Sequence, residues 1–328
     1  MSAAGVIPKG LRNMGNTCYM NAALQCLLHG SGSFVDQLES ARAAGRRSTS
    51  LRDSFVSLKS SSGTQALLGV KTGVSRMNSE FIGTRQNDSH EFIRELLHGI
   101  HKELNRIEGT PKYVEMKDIE GESDTAAADR WIRYSQSHDD SVVYDHFGGF
   151  VRSVTKCGSC ANRTFVFDPF LDLSINPNAN LVTAIGNINT MEDVQVFKCE
   201  KCKGKNIASR RQTVVVRWPR TLVVHLKRFS ASGRKDGASV AFPTTISPRD
   251  AETFIMPQGT KFPPEGYSLS GIVLHHGQMG YGHYTAYVRP LGSSGWYECD
   301  DGVVSSVTES TVLRATTAAY LLFYSTER

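Results

Sequence analysis

No stretch of this 328-residue chain approaches the 18 or so consecutive apolar residues that span a bilayer. Membrane insertion is therefore not expected. The first ten residues, MSAAGVIPKG, hold no apolar core of a secretion signal, so cytosol or nucleus is the expected compartment. Charge of one sign is also scarce. Lys and Arg total 37 against 32 Asp and Glu, a net charge of +5, far short of the basic excess of a nucleic-acid binder. Internal repeats are absent, and so is the alternation of strands and helices that marks a parallel sheet. With 40% hydrophobic and 21% charged residues, the composition is that of a folded globular chain. The seven cysteines, lacking a secretory context, read as thiols, metal ligands or a nucleophile rather than as disulfides.

Two textures divide the sequence. Up to about residue 145 the patterning is helical. GNTCYMNAALQCLLHG sets Met20, Ala23, Leu24, Leu27 and Leu28 on one helical face, with Asn16 and Thr17 as capping side chains and Gly30 as a stop. NDSHEFIRELLHGIHKELNRI does the same with Phe92, Ile93, Leu96, Leu97, Ile100 and Leu104. There Asp88 or Ser89 is the cap, and Glu91 suggests a capping box. A third helix follows the acidic turn in IEGESDTAAADRWIRYSQS. From Phe147 onward, short β-branched and aromatic runs such as RRQTVVVRWPRTLVVHLKRF, YSLSGIVLHH and AYLLFYST read as strands, giving an α+β layout. The stretches SASGRKDGASVAF and SPRDAETFIMPQGTKFPPEG read as polar connections.

Four cysteines form two C-x-x-C pairs, Cys157 with Cys160 and Cys199 with Cys202, separated by 38 residues. Each lies at a tight turn between strand-like segments, the arrangement by which two knuckles present four thiolates to one Zn²⁺. Four thiolates leave no open coordination position, so this metal is expected to be structural, with no cofactor for catalysis. A redox pair is disfavoured by the missing βαβ context, and no basic recognition helix follows either pair.

Cys18 opens the first helix, where unpaired N–H groups and the helix dipole favour a thiolate, the reactive form of cysteine. A buried structural thiol is the competing reading. A nucleophile needs a base and a group to orient it. In GQMGYGHYTAYVRP, His283 stands where the glycines Gly277, Gly280 and Gly282 meet a strand. In GWYECDDGVV, Asp300 and Asp301 end a neighbouring strand, and pairing of the two strands would bring Asp300 beside His283.

GLRNMGNTCYMNAALQCL resembles the cysteine box of the ubiquitin-specific proteases, and GYGHYTAYVR followed by WYECDDGVVSSV resembles their histidine box. RQNDSHEFIRELL is similar to the block between them, the C-x-x-C pairs to their zinc fingers, and LVVHLKRF and AYLLFY to their palm strands. The resemblance runs from about Gly10 to Tyr324. It implies a papain-like hand in one catalytic domain: a helical thumb over roughly 1–145, β fingers stapled by zinc mainly in 146–215, and a β palm over 216–328.

The resemblance further implies a monomeric thiol-dependent deubiquitinase acting after the last glycine of ubiquitin. Cys18 would be the nucleophile, His283 the general base and acid, and Asp300 its orienting partner. Asn13 would be the side-chain oxyanion donor, and Asp301 either shares the role of Asp300 or binds a water near the oxyanion. Asp88 occupies the family's acidic, tail-holding position, and Tyr284 and His276 are candidate channel walls. Met14, Asn87 and Cys299 depart from the family's usual residues without removing a catalytic group. Cys26 and Cys299 are expected to be buried thiols. Two other readings remain open here, a protease for a ubiquitin-like modifier and a binding module without catalysis.

Overall fold

The computed structural model describes residues 7–43, 50–61, 63–119, 121–205, 207–230, 232–278 and 280–327. Its first half is helical: α1 (Cys18–His29), α2 (Phe34–Ala43), α3 (Ser50–Ser57), α4 (Thr64–Met77), α5 (Ser89–Leu104), α6 (Asp124–Gln136) and α7 (Val142–Phe147). Then come β1 (Gly149–Lys156), β2 (Arg163–Phe170), β3 (Leu173–Ile175), α8 (Leu181–Gly186), β4 (Met191–Val194) and β5 (Ser209–Arg217). The remainder is β6 (Thr221–Leu226), β7 (Thr245–Ile246), α9 (Pro248–Ala251), β8 (Tyr267–Gln278), β9 (Tyr281–Val288), β10 (Trp296–Asp300), β11 (Val303–Val307), α10 (Glu309–Leu313) and β12 (Ala319–Ser325). Among the described residues no helix is long and apolar enough to cross a membrane.

Two sheets result. The smaller is antiparallel, in the order β2-β1-β5-β4. The larger runs β11-β10-β9-β8-β12-β6-β3, with β7 against the start of β8, and only β3 pairs parallel to its neighbour. Its central strands are covered on both faces, which is why LVVHL and AYLLFY read as unbroken apolar runs. Val223, Leu321 and Phe323 face the helical half, while Leu222, Val224, Leu322 and Tyr324 enter a second core on the other side. The segment expected to be mainly fingers also feeds that second core, through Leu173 and Ile175 of β3 and Leu181 and Ile185 of α8.

Helix α1 is the axis of the molecule. Every residue from Cys18 to Leu28 is buried, not one face alone, because α1 lies between α5 and strands β8 and β9. Its two buried amides, Asn21 and Gln25, are bonded through their N–H groups, while their side-chain oxygens have no partner among the described residues. Asn21 Nδ2 donates to the Leu11 carbonyl at 3.1 Å, and Gln25 Nε2 donates to the Lys9 carbonyl at 2.7 Å. Buried amides left without partners would cost free energy, so these bonds tie the segment before α1 to the helix surface.

Helix α5 buries the expected apolar stripe, and Asp88 is its cap: Oδ1 accepts from the N–H groups of His90 (2.8 Å) and Glu91 (3.0 Å). The reciprocal half of the capping box does not form among the described residues. An aspartate cap sets a second carboxylate beside Glu91, and burial together with the Asp88 charge pushes the Glu91 carboxyl up. Two further short helices are capped by side chains, and α9 falls in a stretch expected to be a polar connection. In α9, Ser247 and Asp250 form a closed capping box, and in α8, Asn180 accepts from the Thr183 N–H.

Candidate active site and metal site

Cys18 is the first residue of α1, but neither Asn16 nor Thr17 caps the helix with its side chain. Thr17 Oγ1 accepts from the Met14 N–H at 2.9 Å, and Asn16, held at φ 52°, donates to the Thr84 carbonyl at 2.8 Å. The turn is organised instead by Asn13, whose Oδ1 accepts from the N–H groups of Gly15 (2.9 Å) and Thr17 (3.1 Å).

The thiol is 4% exposed, and burial pushes it above the ordinary cysteine range. The N–H groups of Tyr284, Tyr19 and Cys18 itself pull the other way, and the Asp301 charge adds to the rise. The helix N-terminus thus acts in the expected direction and is outweighed by desolvation. Burial thus favours the neutral thiol at rest over the thiolate that its position at the helix start would favour. Iodoacetamide alkylation of the Cys18 peptide, followed by mass spectrometry, should keep rising through about pH 9 rather than level off near the pH 4–7 typical of activated thiols.

The Tyr284 N–H that reaches Cys18 belongs to β9, one residue after His283. The β9–β10 pairing stops at Ala286 and Cys299, leaving His283 and Asp300 just beyond it on adjacent strands. There His283 Nε2 and Asp300 Oδ1 meet at 2.6 Å. Nε2 is thereby committed to the carboxylate, and Nδ1 is the ring nitrogen left to handle a proton. Both side chains are about half exposed, at 44% and 53%. Among the described residues no hydrogen bond joins Cys18 to His283.

Asp301 does not share His283. Its Oδ2 accepts from Asn13 Nδ2 at 2.8 Å, its Oδ1 accepts from Asn21 Nδ2 at 2.7 Å, and its carbonyl accepts from the Leu11 N–H at 2.7 Å. It adopts the left-handed conformation, φ 48°. Close approach of the leading segment is possible because Gly10 faces Gly302: a Cβ at Gly10 would lie 2.2 Å from the Gly302 carbonyl oxygen. The two adjacent aspartates therefore divide the work, Asp300 on the imidazole and Asp301 on Asn13. One N–H of the Asn13 amide is taken by Asp301, and among the described residues no group takes the other.

The remaining candidates surround this group. Asp88 sits beside β9 and β12, its Oδ2 accepting from Tyr320 Oη at 2.6 Å and Tyr284 Oη at 3.4 Å. Tyr284 is buried at 7% exposure, and burial pushes its hydroxyl well up. His276 is exposed on β8 as the register partner of His283, its pKa lowered by burial and by the Lys235 and His283 charges. Cys26 and Cys299 are buried thiols, as expected, and burial pushes Cys299 up to about 12.

Two residues that the sequence reading did not single out complete the site. Asn21, one turn after Cys18, holds Asp301, and Gln86 bonds the Gly282 backbone in both directions, at 3.0 and 3.1 Å. A buried polar residue in an otherwise apolar helix was the available signal for Asn21. For Gln86 the signal was its place in the RQNDSHEFIRELL block, which does not name a partner 196 positions away. Gly282 is also hemmed in from the palm side, since a Cβ there would lie 2.1 Å from His275 Nε2. Gly282→Ala should cost about 1–3 kcal/mol through this overpacking, read as a lower Tm in thermal unfolding.

At the far end of the smaller sheet the four knuckle cysteines converge. Cys157 and Cys202 sulfurs are 3.9 Å apart, Cys160 and Cys199 3.6 Å, and all four lie within 4.8 Å of one another. Cys157 and Cys199 are buried, and Cys160 and Cys202 exposed. The turns need unusual backbone: Ala161 and Lys203 both take φ 57°, and a Cβ on Gly158 would meet the Ala208 carbonyl oxygen at 2.0 Å. A tetrahedron of sulfurs about 2.3 Å from a central ion has edges of about 3.8 Å, so the cluster fits one four-coordinate metal ion.

Against known proteins, the chain matches the family described as "Ubiquitin carboxyl-terminal hydrolase" over residues 9–324. The chain belongs to this family. Similar hydrolases include "Ubiquitin carboxyl-terminal hydrolase 2" of Bos taurus, 32% identical over 96% of this chain and 54% of the relative. "Ubiquitin carboxyl-terminal hydrolase 23" of Arabidopsis thaliana is 33% identical over 98% of this chain and 36% of the relative. The chain thus spans about half the length, or less, of these curated hydrolases. Among solved structures, the fold is similar to a SAGA DUB module containing Ubp8, bound to monoubiquitin, with a TM-score of 0.74. That likeness has 25% identity and covers 97% of this chain and 68% of the other. The hydrolase family is thus the setting for the α+β hand and for the Cys18, His283 and Asp300 group described above.

Proposed function

We infer that this hydrolase cleaves the peptide or isopeptide bond following the C-terminal glycine of ubiquitin, through a thioester on Cys18. The observation that carries the reading is the assembly around β9: imidazole on Asp300 and Asn13 on Asp301, with the Cys18 sulfur close enough to the Tyr284 N–H for that group to lower its pKa. Because burial favours the neutral thiol, the first step is transfer of its proton to His283 Nδ1 as the ring closes on Cys18. Sulfur then attacks the glycine carbonyl. The oxyanion is met by the free N–H of Asn13 Nδ2 and the backbone N–H of Cys18, fixed donors that need no reorganisation. His283 returns the proton to the leaving amine, and water, deprotonated by the same ring, releases ubiquitin from the thioester. Asp300 stays ionised and supports the imidazolium.

Selection for an extended chain ending in Gly-Gly would follow from a narrow approach to Cys18 walled by the glycine-rich hairpin that carries His283 and by the buried Tyr284 ring. Asp88 acts there through the hydroxyls of Tyr284 and Tyr320, and His276 lines the outer side. At the knuckles, Cys157, Cys160, Cys199 and Cys202 would hold Zn²⁺, which supplies cross-linking of the finger tips and no reactive position. Cytosol or nucleus remains the proposed location.

Release of a fluorophore from the C-terminus of ubiquitin tests the substrate. The wild type should turn it over, and the matching conjugates of other modifiers should react at least tenfold more slowly. Preference for another modifier would replace ubiquitin in this reading, and binding without turnover would leave only a ubiquitin-holding module. Metal analysis should find about one zinc per chain, and chelation or Cys199→Ser should lower Tm by about 10 °C or more. Metal-free protein with unchanged Tm under chelator would remove the zinc assignment.

A further inference from the structure

We propose that Gln86 is a positioning residue for His283, its side-chain amide serving as a substitute strand residue that holds the end of β9 in catalytic register. The proposal rests on the hydrolase reading above and deepens it. Gln86 Nε2 donates to the Gly282 carbonyl at 3.0 Å, while the Gly282 N–H donates to Gln86 Oε1 at 3.1 Å. This reciprocal pair is the pattern one residue of an antiparallel strand makes with its neighbour.

The location explains why a substitute is needed. Strand β10 pairs with β9 only from Ala286 to Val288. Its register ends before Gly282, so the backbone groups of Gly282 and Tyr284 on that edge have no strand partner among the described residues. Residues 282 and 284 share one edge because hydrogen-bonding direction alternates along a strand. At that edge the Tyr284 N–H lies close enough to the Cys18 sulfur to lower its pKa, and Gly282 is held by Gln86. His283 lies between these two anchors. Without the amide, the polar ties between β9 near His283 and the start of α5 would, among the described residues, be those of the Tyr284 hydroxyl, to Asp88 at a long 3.4 Å and to the Ser89 backbone.

The adjoining hairpin has little stiffness of its own. Gly277 and Gly280 occupy positive φ, 96° and 79°, and Tyr281 at the tip is 88% exposed. On its other side Gly282 rests against the buried His275 ring, so the glycine is gripped between a palm side chain and the Gln86 amide. Gln86 itself is fixed two residues ahead of the Asp88 cap of α5. The clamp therefore references the base to the same helix start that carries Asp88, across the junction of the two halves of the molecule. Loss of the clamp lets the imidazole drift by fractions of an ångström, which catalysis tolerates poorly.

The test uses Gln86→Ala and Gln86→Glu with a fluorogenic ubiquitin substrate, at matched Tm. Gln86→Ala should lower kcat by about tenfold or more with KM within about threefold, since the ground-state contacts remain. Gln86→Glu is nearly isosteric. As a carboxylate it accepts the Gly282 N–H but has no proton for the Gly282 carbonyl; as a carboxylic acid it restores both bonds. The kcat ratio of Gln86→Glu to Gln86→Ala should therefore rise severalfold as pH falls from 8 to about 5, toward the carboxyl range. Should Gln86→Ala fail to fold, the ratio of Gln86→Glu to the wild type across the same pH range decides the matter. An unchanged or raised kcat in Gln86→Ala, a loss confined to KM, or a pH-independent ratio each overturns the proposal. An inactive wild type defeats the hydrolase reading and this one with it, whereas an active wild type matched by Gln86→Ala defeats this one alone.

Discussion

His283→Ala should lower kcat for ubiquitin conjugates by about four orders of magnitude or more, with the fold intact. The size follows from two features of the resting site. Burial pushes the Cys18 thiol up and disfavours the thiolate, so the reaction depends on a base that removes the proton. The imidazole is also the group positioned to protonate the leaving amine, so both halves of the reaction lose their proton carrier. Removing the base of a hydrolytic triad costs about as much as removing the nucleophile itself, while loss of the carboxylate costs less. Asp300→Ala should accordingly retain about ten to a hundred times the activity of His283→Ala. The half-exposed ring contributes little to the core, so Tm should stay within a few degrees of the wild type. Steady-state kinetics beside thermal unfolding separates the two effects. A His283→Ala enzyme within tenfold of the wild type would remove this ring from the mechanism.

Asp301→Ala is the second large effect, for a different reason. Its carboxylate joins Asn13 to Asn21, and its carbonyl anchors Leu11. Truncation frees the Asn13 amide from the direction in which it must meet the oxyanion. It also leaves one N–H of the Asn21 amide without its partner in a nearly closed interior, where Asn21 is 2% exposed and keeps only its bond to the Leu11 carbonyl. Loss of one oxyanion donor costs about 10²–10³ in kcat, and an unsatisfied buried polar group about 1–3 kcal/mol of stability. The variant should show both losses, with KM nearly unchanged. Asp301→Asn can still accept from one amide and should fall between. If Asp301→Ala lost only stability, Asn13 would be held by its own turn and the division of labour between the two aspartates would be wrong.

Much of this was legible in the residues, for physical reasons that differ from element to element. The α5 stripe and its Asp88 cap are local features, encoded by spacing within one helix, and the structure has both. The C-x-x-C pairs announce themselves because two thiolates per turn have few uses other than metal. Asp300 beside His283 followed from strand pairing across a short connection. The misses are those of context. The helix N-terminus at Cys18 favours a thiolate, yet packing of α1 against β9 buries the sulfur and wins. Asn16 and Thr17 are good capping types, but the turn before α1 engages them elsewhere, Thr17 Oγ1 with the Met14 N–H and Asn16 with the Thr84 carbonyl. A single-faced α1 was the natural reading of its pattern, and only the sheet on its other side shows why its small and polar residues are buried too. The pairing of Gln86 with Gly282 rests on tertiary register alone, which no local pattern carries.

The most direct measurement is intact-mass analysis of the protein mixed with ubiquitin bearing a C-terminal electrophile, followed by mapping of the modified residue. One ubiquitin should add per chain, its terminus bonded to Cys18 and to none of the other six cysteines, with no adduct in Cys18→Ala. An adduct that persists in Cys18→Ala, or a folded and ubiquitin-binding wild type that stays unmodified, would contradict the account.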